Sequence, residues 1–215
     1  MYEETINTIE AKKCIVILRG IDTQDLAETM EALYEGGIRL VEITFDQTGR
    51  VSDMETARNI AWAVGRYAGR MTIGGGTVLT KAQLTLLCDA GGAFAISPHT
   101  EESLIAEART AGLVSIPGAM SVTEIEKAYH AGADYVKVFP AGALGPSFFH
   151  ALQGPLPHRK LLAVGGITPA DVPAYRASGA FGFAVGSAVA NGAWASGHAY
   201  ERIRASAAAF AALCE

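Results

Sequence analysis

The 215-residue sequence has few charged side chains and no long apolar segment. Only 18% of its residues are charged and 50% are hydrophobic, a balance that excludes an intrinsically disordered chain. Its net charge of −5 provides no positive field for nucleic acid or an anionic membrane. The longest mostly apolar run, AFGFAVGSAVA, is too short and too rich in glycine to cross a bilayer. An anionic ligand must therefore be held by a local site.

Cysteine is also scarce, and no metal-binding pattern is present. Cys14, Cys88 and Cys214 are widely separated and odd in number, as expected of reduced thiols in a cytoplasmic protein. The five histidines show neither HxH nor HExxH spacing, and no GxSxG motif occurs. The N-terminal segment MYEETINTIEAKK predicts a polar helix without the apolar core of a signal peptide. We therefore expect a cytoplasmic protein that contains no metal or other cofactor.

Eight short apolar segments alternate with helical ones and predict the strands of a parallel sheet covered by helices. The predicted helices end in YEGG, DAGG, TAG, HAGA and ASGA, where glycine supplies a left-handed turn before the next strand. This repeat predicts an α/β fold, a (β/α)8 TIM barrel formed by residues 1–215 as a single domain, with an extra N-terminal helix over 2–13. An open doubly wound sheet is the alternative. The predicted strands are CIVILRG, RLVEITF, MTIGGGTV, FAISP, VSIPG, YVKVFPA, KLLAVGG and FGFAVGS.

Two ionisable residues interrupt otherwise apolar strands, namely Glu42 in LVEITF and Lys137 in YVKVFP, while Arg19 ends CIVILRG. Lysine is rarely buried unless it is paired or has a function, so one interpretation is a core ion pair or a charge at the rim. The other is catalytic, because desolvation lowers the pKa of a lysine and frees the neutral amine to attack a ketone. A nearby carboxylate would then move protons through the carbinolamine, imine and enamine stages. Burial lowers the pKa of the lysine and pairing with a carboxylate raises it. The sequence does not show which effect is larger.

Glycine-rich segments end the third, seventh and eighth predicted strands, as GGGTVL, AVGGIT and AVGS. In β/α barrels the loops after the last two strands commonly bind phosphate, since glycine lets backbone N–H groups approach an anion. Glycine also serves tight turns, so each segment alone is a weak signal. Together the last two predict a phosphate site, to which Ser187 adds a hydroxyl.

These residues together resemble the KDPG/KHG aldolase family, whose members cleave 2-keto-3-deoxy-6-phosphogluconate or 4-hydroxy-2-oxoglutarate. The resemblance extends along essentially the whole chain, and the combination of KVFP with EIT is its most specific part. It implies a metal-independent class I aldolase of carbohydrate metabolism that is usually a homotrimer. The resemblance is carried by ILRGI, GGIRLVEIT, GGGTVL, AISPHT, IPGAMSVTE, YVKVFPA and AVGGITP.

The resemblance also implies the role of each site residue. Lys137 matches the Schiff-base lysine, and Glu42 matches the general acid/base that acts with a bound water. A threonine holds the pyruvyl carboxylate, a proline and a phenylalanine pack around the pyruvyl group, glycines and a serine bind phosphate, and part of the family has the arginine of the first strand. In this sequence these substrate-binding residues are Thr77, Pro98, Phe139, Gly165, Gly166, Gly186, Ser187 and Arg19.

One position departs from the phosphogluconate-type pattern. Those members carry a carboxylate-binding arginine four residues after the catalytic glutamate, where this sequence has Asp46. Either Arg19 or Arg50 must replace it, or the substrate differs. Galactonate-type relatives also lack that arginine, and Val164 stands where the phosphogluconate type has threonine.

Three functional hypotheses follow. The leading one is cleavage of a 2-keto-3-deoxy-6-phospho sugar acid to pyruvate and glyceraldehyde 3-phosphate. The second keeps the lysine without the phosphate and cleaves 4-hydroxy-2-oxoglutarate to pyruvate and glyoxylate. The third is a non-catalytic barrel that binds a phosphosugar. In each of them the partner is a small molecule, neither a nucleic acid nor a membrane.

Overall fold

A computed structural model describes residues 1–214, and Glu215, the last residue of the predicted domain, lies outside them. Nine strands form one parallel sheet in the described part of the chain, and helices connect most of them. The strands are β1 (Cys14–Leu18), β2 (Leu40–Thr44), β3 (Thr72–Gly76), β4 (Phe94–Ile96), β5 (Val114–Ile116), β6 (Gly118–Ala119), β7 (Val136–Val138), β8 (Leu161–Val164) and β9 (Gly182–Val185).

The α-helices lie before, between and after the strands along the described residues. They are α1 (Tyr2–Lys12), α2 (Leu26–Glu35), α3 (Asp53–Arg66), α4 (Lys81–Asp89), α5 (Glu102–Thr110), α6 (Val122–His130), α7 (Ala141–Leu144), α8 (Pro146–Leu152), α9 (Val172–Ala177), α10 (Gly192–Ser196) and α11 (Tyr200–Cys214). No helix of residues 1–214 has both the length and the apolar character needed to cross a membrane.

The sheet closes into a barrel through a strand that is divided in two. The strand order is β5-β4-β3-β2-β1-β9-β8-β7-β6, so the two ends of the sheet are consecutive segments separated only by Pro117. Proline has no N–H to donate, which interrupts the strand. Its carbonyl oxygen still accepts from the Lys137 N–H at 2.9 Å. The predicted barrel is confirmed and the open sheet is wrong, while the fifth predicted strand appears as β5 and β6.

The predicted helix ends are also confirmed. In each of the five segments a glycine adopts a left-handed backbone, which bends the chain back toward the sheet. These glycines are Gly37, Gly91, Gly112, Gly132 and Gly179, with φ between 75° and 100°. The predicted N-terminal helix is present as α1, and it ends where Lys13 adopts φ 54°.

Two apolar layers determine which side chains face the barrel interior. In β7, Val136 and Val138 belong to the outer layer between the sheet and the helices, whereas Tyr135, just before the strand, belongs to the interior cluster. Successive side chains of a strand point to opposite faces, so Lys137 faces inward with Tyr135. The same alternation in β2 puts Glu42 on the inward face with Leu40. At the other end of the barrel, α1 packs its Ile9 against the interior cluster.

Candidate active site

Lys137 is buried near the mouth of the barrel. Its side chain is only 5% exposed, and its ammonium nitrogen Nζ lies 4.9 Å from the ring centroid of Phe139. An inward position near the carboxyl end of a barrel strand is where β/α barrels carry their chemistry. The amine is thus removed from bulk water and held against an aromatic face.

Glu42 is buried more deeply. The residue has no exposed surface, and neither carboxylate oxygen accepts a hydrogen bond from any residue in 1–214. A buried carboxylate without partners is costly to keep charged. Burial accordingly raises the pKa of Glu42, although Lys137 and Arg19 act in the opposite direction. Glu42 is therefore suited to accept and return a proton.

Burial also decides the state of the lysine, which the sequence left open. Desolvation is the largest effect on Lys137 and lowers its pKa. The carboxylate of Glu42 raises that pKa by a smaller amount, and the guanidinium of Arg19 lowers it further. A larger share of the amine is consequently neutral near physiological pH than in an exposed lysine, as a nucleophile requires.

A cavity of about 660 Å³ opens above these residues. All of the predicted site residues line it except Glu42, which lies deeper in the barrel. The predicted residues in its wall are Arg19, Thr77, Pro98, Lys137, Phe139, Gly165, Gly166, Gly186 and Ser187. Residues predicted separately from six strand ends thus meet around one space.

Arg19 and Thr77 lie together in the wall of this cavity. Nη2 of Arg19 donates to the Oγ1 of Thr77 at 2.8 Å. Thr77 directly follows β3 and adopts φ 55°, a conformation that is unfavourable for a β-branched residue. Backbone strain of this kind is concentrated at functional sites.

The glycine-rich loops after β8 and β9 line another part of the cavity wall. Gly165 and Gly166 have φ of 91° and 74°, so both adopt a left-handed backbone that glycine tolerates. Ser187 follows Gly186 in the next loop, and its carbonyl oxygen accepts from the side-chain amide of Asn191 at 3.2 Å. These loops present backbone and hydroxyl groups to the cavity without a charged side chain.

Sequence reasoning missed Asn191, which also lines the cavity. Its Oδ1 accepts from the Trp194 N–H at 3.0 Å and caps the N-terminus of α10. An asparagine just before a helix that follows the last strand was the available signal.

Asp46 forms hydrogen bonds within its own loop. Its carboxylate accepts from the backbone N–H groups of Thr48, Arg50 and Val51 and from the Thr48 hydroxyl. These bonds, with the Val51 N–H contributing most, lower the pKa of Asp46 to about 2. Arg50 does not line the main cavity and instead borders a separate pocket of about 140 Å³, which Arg19 also lines. Of the two arginines, Arg19 is the one that shares a cavity with Lys137.

The described residues contain no group of three or more His, Cys, Asp and Glu side chains placed to hold a metal ion. The thiols of Cys14 and Cys214 are buried, and Cys88 is partly buried. A parallel barrel with an inward, desolvated lysine next to a buried carboxylate is the architecture of a Schiff-base aldolase.

Comparisons with known proteins agree with this class. The family model for KDPG and KHG aldolase matches residues 5–206. The probable 2-dehydro-3-deoxy-6-phosphogalactonate aldolase of Rhizobium meliloti (strain 1021) is 36% identical over 200 residues, which cover 93% of this chain and 92% of that protein. The chain belongs to the KDPG and KHG aldolase family and is a carbon–carbon lyase of the metal-independent, Schiff-base class.

Solved structures are similar along the same length. The KDPG aldolase of Legionella pneumophila, with pyruvate captured at low pH as a covalent carbinolamine intermediate, is 26% identical with a TM-score of 0.84 and covers 94% of this chain and 96% of its own. A cube-shaped protein cage designed by fusing symmetric oligomeric domains is 31% identical with a TM-score of 0.84 and covers 94% of this chain and 71% of its own.

Proposed function

We propose that the enzyme cleaves a 2-keto-3-deoxy-6-phospho sugar acid to pyruvate and glyceraldehyde 3-phosphate. One observation carries the proposal: the amine of Lys137, with its lowered pKa, lies in the same cavity as Arg19 and the glycine-rich loops after β8 and β9. The arrangement offers a nucleophile for the ketone, a cation for the carboxylate and N–H donors for the phosphate. A substrate held at both ends is oriented for reaction at its centre.

In the proposed reaction the Lys137 amine attacks C2, and loss of water gives a protonated imine. A base removes the C4 hydroxyl proton, and the C3–C4 electron pair moves toward the imine, which releases the aldehyde and leaves an enamine. Protonation at C3 and hydrolysis then free pyruvate and the lysine. We propose that Glu42 moves these protons through a bound water, since its raised pKa suits both directions of transfer.

We propose that Arg19 and Thr77 hold the keto-acid carboxylate. Arg19 thereby replaces the arginine that phosphogluconate-type enzymes carry at the position of Asp46. Pro98 and Phe139 would pack around the pyruvyl methyl group and the imine, as their places in the cavity wall allow.

We propose that Gly165, Gly166, Gly186 and Ser187 bind the phosphate group of the substrate through backbone N–H groups and a hydroxyl. Glycine-rich loops at this end of a barrel suit an anion, because their backbone amides can approach it closely.

We propose the phosphogalactonate epimer as the preferred substrate. Asp46 and Val164 both depart from the phosphogluconate-type pattern, and Val164 lines the cavity. The 36% identical relative is named a probable 2-dehydro-3-deoxy-6-phosphogalactonate aldolase.

We further propose a single-domain, cytoplasmic homotrimer that serves carbohydrate metabolism. One continuous sheet from Cys14 to Val185 supports the single domain. The similarity to a cage component described as a symmetric oligomeric domain supports self-association.

A substrate comparison tests this proposal. Pyruvate release would be followed with lactate dehydrogenase and NADH for the two phosphorylated epimers and for 4-hydroxy-2-oxoglutarate. We expect the highest kcat/KM for the phosphogalactonate-type substrate. A higher value for 4-hydroxy-2-oxoglutarate would contradict the phosphate site, and no release from any substrate would favour the non-catalytic barrel.

A further inference from the structure

β3 ends in three consecutive glycines whose backbone does not require glycine. Glycine weakens a strand interior because it adds no packing and loses much conformational freedom on folding. Gly74, Gly75 and Gly76 all lie outside the left-handed region that makes a side chain unfavourable. The reason for these glycines must therefore lie in the space around them.

Each glycine leaves room for a different neighbour. A Cβ at Gly74 would lie 2.3 Å from the Phe94 ring, and a Cβ at Gly75 would lie 2.8 Å from Cδ1 of Leu87 on α4. A Cβ at Gly76 would lie 1.6 Å from Oε1 of Glu42, 2.1 Å from its Cδ and 2.4 Å from its Cγ. The Glu42 side chain therefore occupies the volume that any side chain at position 76 would need.

The strand register explains this contact. In the parallel pair of β2 and β3, Glu42 is opposite Gly74 and Thr44 is opposite Gly76. The Glu42 side chain leans along the barrel toward the mouth and reaches the level of Gly76, one residue before Thr77 in the cavity wall. A wholly buried carboxylate in a packed interior has little space to which it can move.

We infer that Gly76 is a positioning residue for Glu42. The missing side chain at position 76 lets the carboxylate lie beneath the cavity, within electrostatic range of Lys137. Gly75, in the same strand, faces α4 and has no part in this arrangement. The inference rests on the proposed role of Glu42 as the proton-transferring group.

A pair of matched variants tests the inference. Gly76→Ala and Gly75→Ala add the same methyl group to neighbouring residues on opposite faces of β3. The readouts are solvent exchange of the pyruvate methyl protons by NMR, which reports on Glu42, and borohydride trapping of pyruvate, which reports on Lys137. We expect Gly76→Ala to slow exchange by at least about 100-fold, the usual size of a lost acid/base contribution, while trapping persists. Gly75→Ala should keep exchange near the wild-type rate.

A double-mutant cycle of melting temperatures tests the contact between position 76 and Glu42 without measuring activity. Glu42→Ala removes the three atoms that a methyl group at position 76 would meet. Gly76→Ala should therefore lower the melting temperature much more in the wild type than in the Glu42→Ala background, since contacting residues show non-additive effects. If Gly76→Ala does not fold alone, folding of the double variant would support the inference. An equal loss of melting temperature in both backgrounds would overturn the inference. Failure of both Gly76→Ala and the double variant to fold would also overturn it.

Glu42→Gln separates this inference from the proposed function. If Glu42→Gln loses exchange while Gly76→Ala retains it, Gly76 does not position the carboxylate and the inference is wrong. If Glu42→Gln exchanges at the wild-type rate, the proposed role of Glu42 is wrong, and the inference that depends on it is overturned with it.

Discussion

The guanidinium of Arg19 donates to the Thr77 hydroxyl at 2.8 Å and joins the mouth ends of β1 and β3 across the intervening strand β2. β2 carries Glu42 beneath this bond. The positive charge of Arg19 acts on both catalytic candidates, because it lowers the pKa of Lys137 and that of Glu42. Arg19 therefore serves two proposed functions, as an anchor for the substrate carboxylate and as a charge that adds to the lowering of the Lys137 pKa by burial.

Replacing Arg19 tests both functions. In Arg19→Ala the pKa of Lys137 should rise toward its ordinary value, since a cation that disfavours the charged amine is lost. Less neutral amine would be present at each pH, so the pH profile of borohydride trapping should move to higher pH. The KM for pyruvate should rise roughly 10- to 100-fold, the cost of losing a charged hydrogen bond. Arg50→Ala is the matched control, and an identical profile and KM in Arg19→Ala would contradict this account.

Replacing Glu42 should shift the same profile in the opposite direction. The carboxylate of Glu42 raises the pKa of Lys137, so Glu42→Gln should lower that pKa and move trapping to lower pH. A shift to higher pH, the same sign as in Arg19→Ala, would mean that the two charges do not act on the lysine as described.

The proposed phosphate site can be obstructed without disturbing the lysine. A Cβ at Gly186 would lie 3.6 Å from the Ile17 carbonyl oxygen, an ordinary contact, so Gly186→Ala should fold. Its methyl group would obstruct close approach of the phosphate to the backbone. We expect the KM for the phosphorylated substrate to rise about 10-fold or more while pyruvate exchange is unchanged. Gly154→Ala, where a Cβ meets nothing within 4 Å, is the control, and an unchanged KM in Gly186→Ala would place the phosphate elsewhere.

Asp46 should contribute to stability in a pH-dependent manner. Its pKa falls from 3.8 to about 2 on folding, so the contribution is present above pH 3.8 and is lost as the pH falls toward 2. Asp46→Asn should melt at a lower temperature than the wild type at neutral pH. The difference in melting temperature should diminish below about pH 4. A difference that stays constant with pH would show that the loop does not depend on the charged carboxylate.

The sequence predicted the barrel and most of the cavity wall for a physical reason. The alternation of strands with helices and the glycine helix ends are local signals, and barrel topology brings strand ends together, so Arg19, Lys137 and Ser187 could be located in advance. Thr77 was assigned through the family resemblance. Features that depend on packing between strands could not be predicted from the sequence. The contact of Gly76 with Glu42 requires the register of β2 and β3, and the division of the fifth strand at Pro117 depends on how the sheet closes.

The direction of the pKa shift of Lys137 and the hydrogen bonds of Asp46 could also be determined only from the structure. The sequence showed that burial and pairing oppose each other at Lys137, but only the depth of the side chain decides between them. Asp46 could be identified as a departure from the phosphogluconate-type pattern, yet its bonds to the Thr48, Arg50 and Val51 N–H groups depend on the folded loop.

Borohydride reduction of the protein in the presence of pyruvate, followed by peptide mass mapping, tests the central claim most directly. We expect one reduced pyruvyl group on Lys137 and none in Lys137→Ala, with circular dichroism showing that both proteins are folded. No adduct on the folded wild-type protein, or an adduct on another lysine such as Lys160, would contradict the assignment of Lys137 as the imine-forming residue.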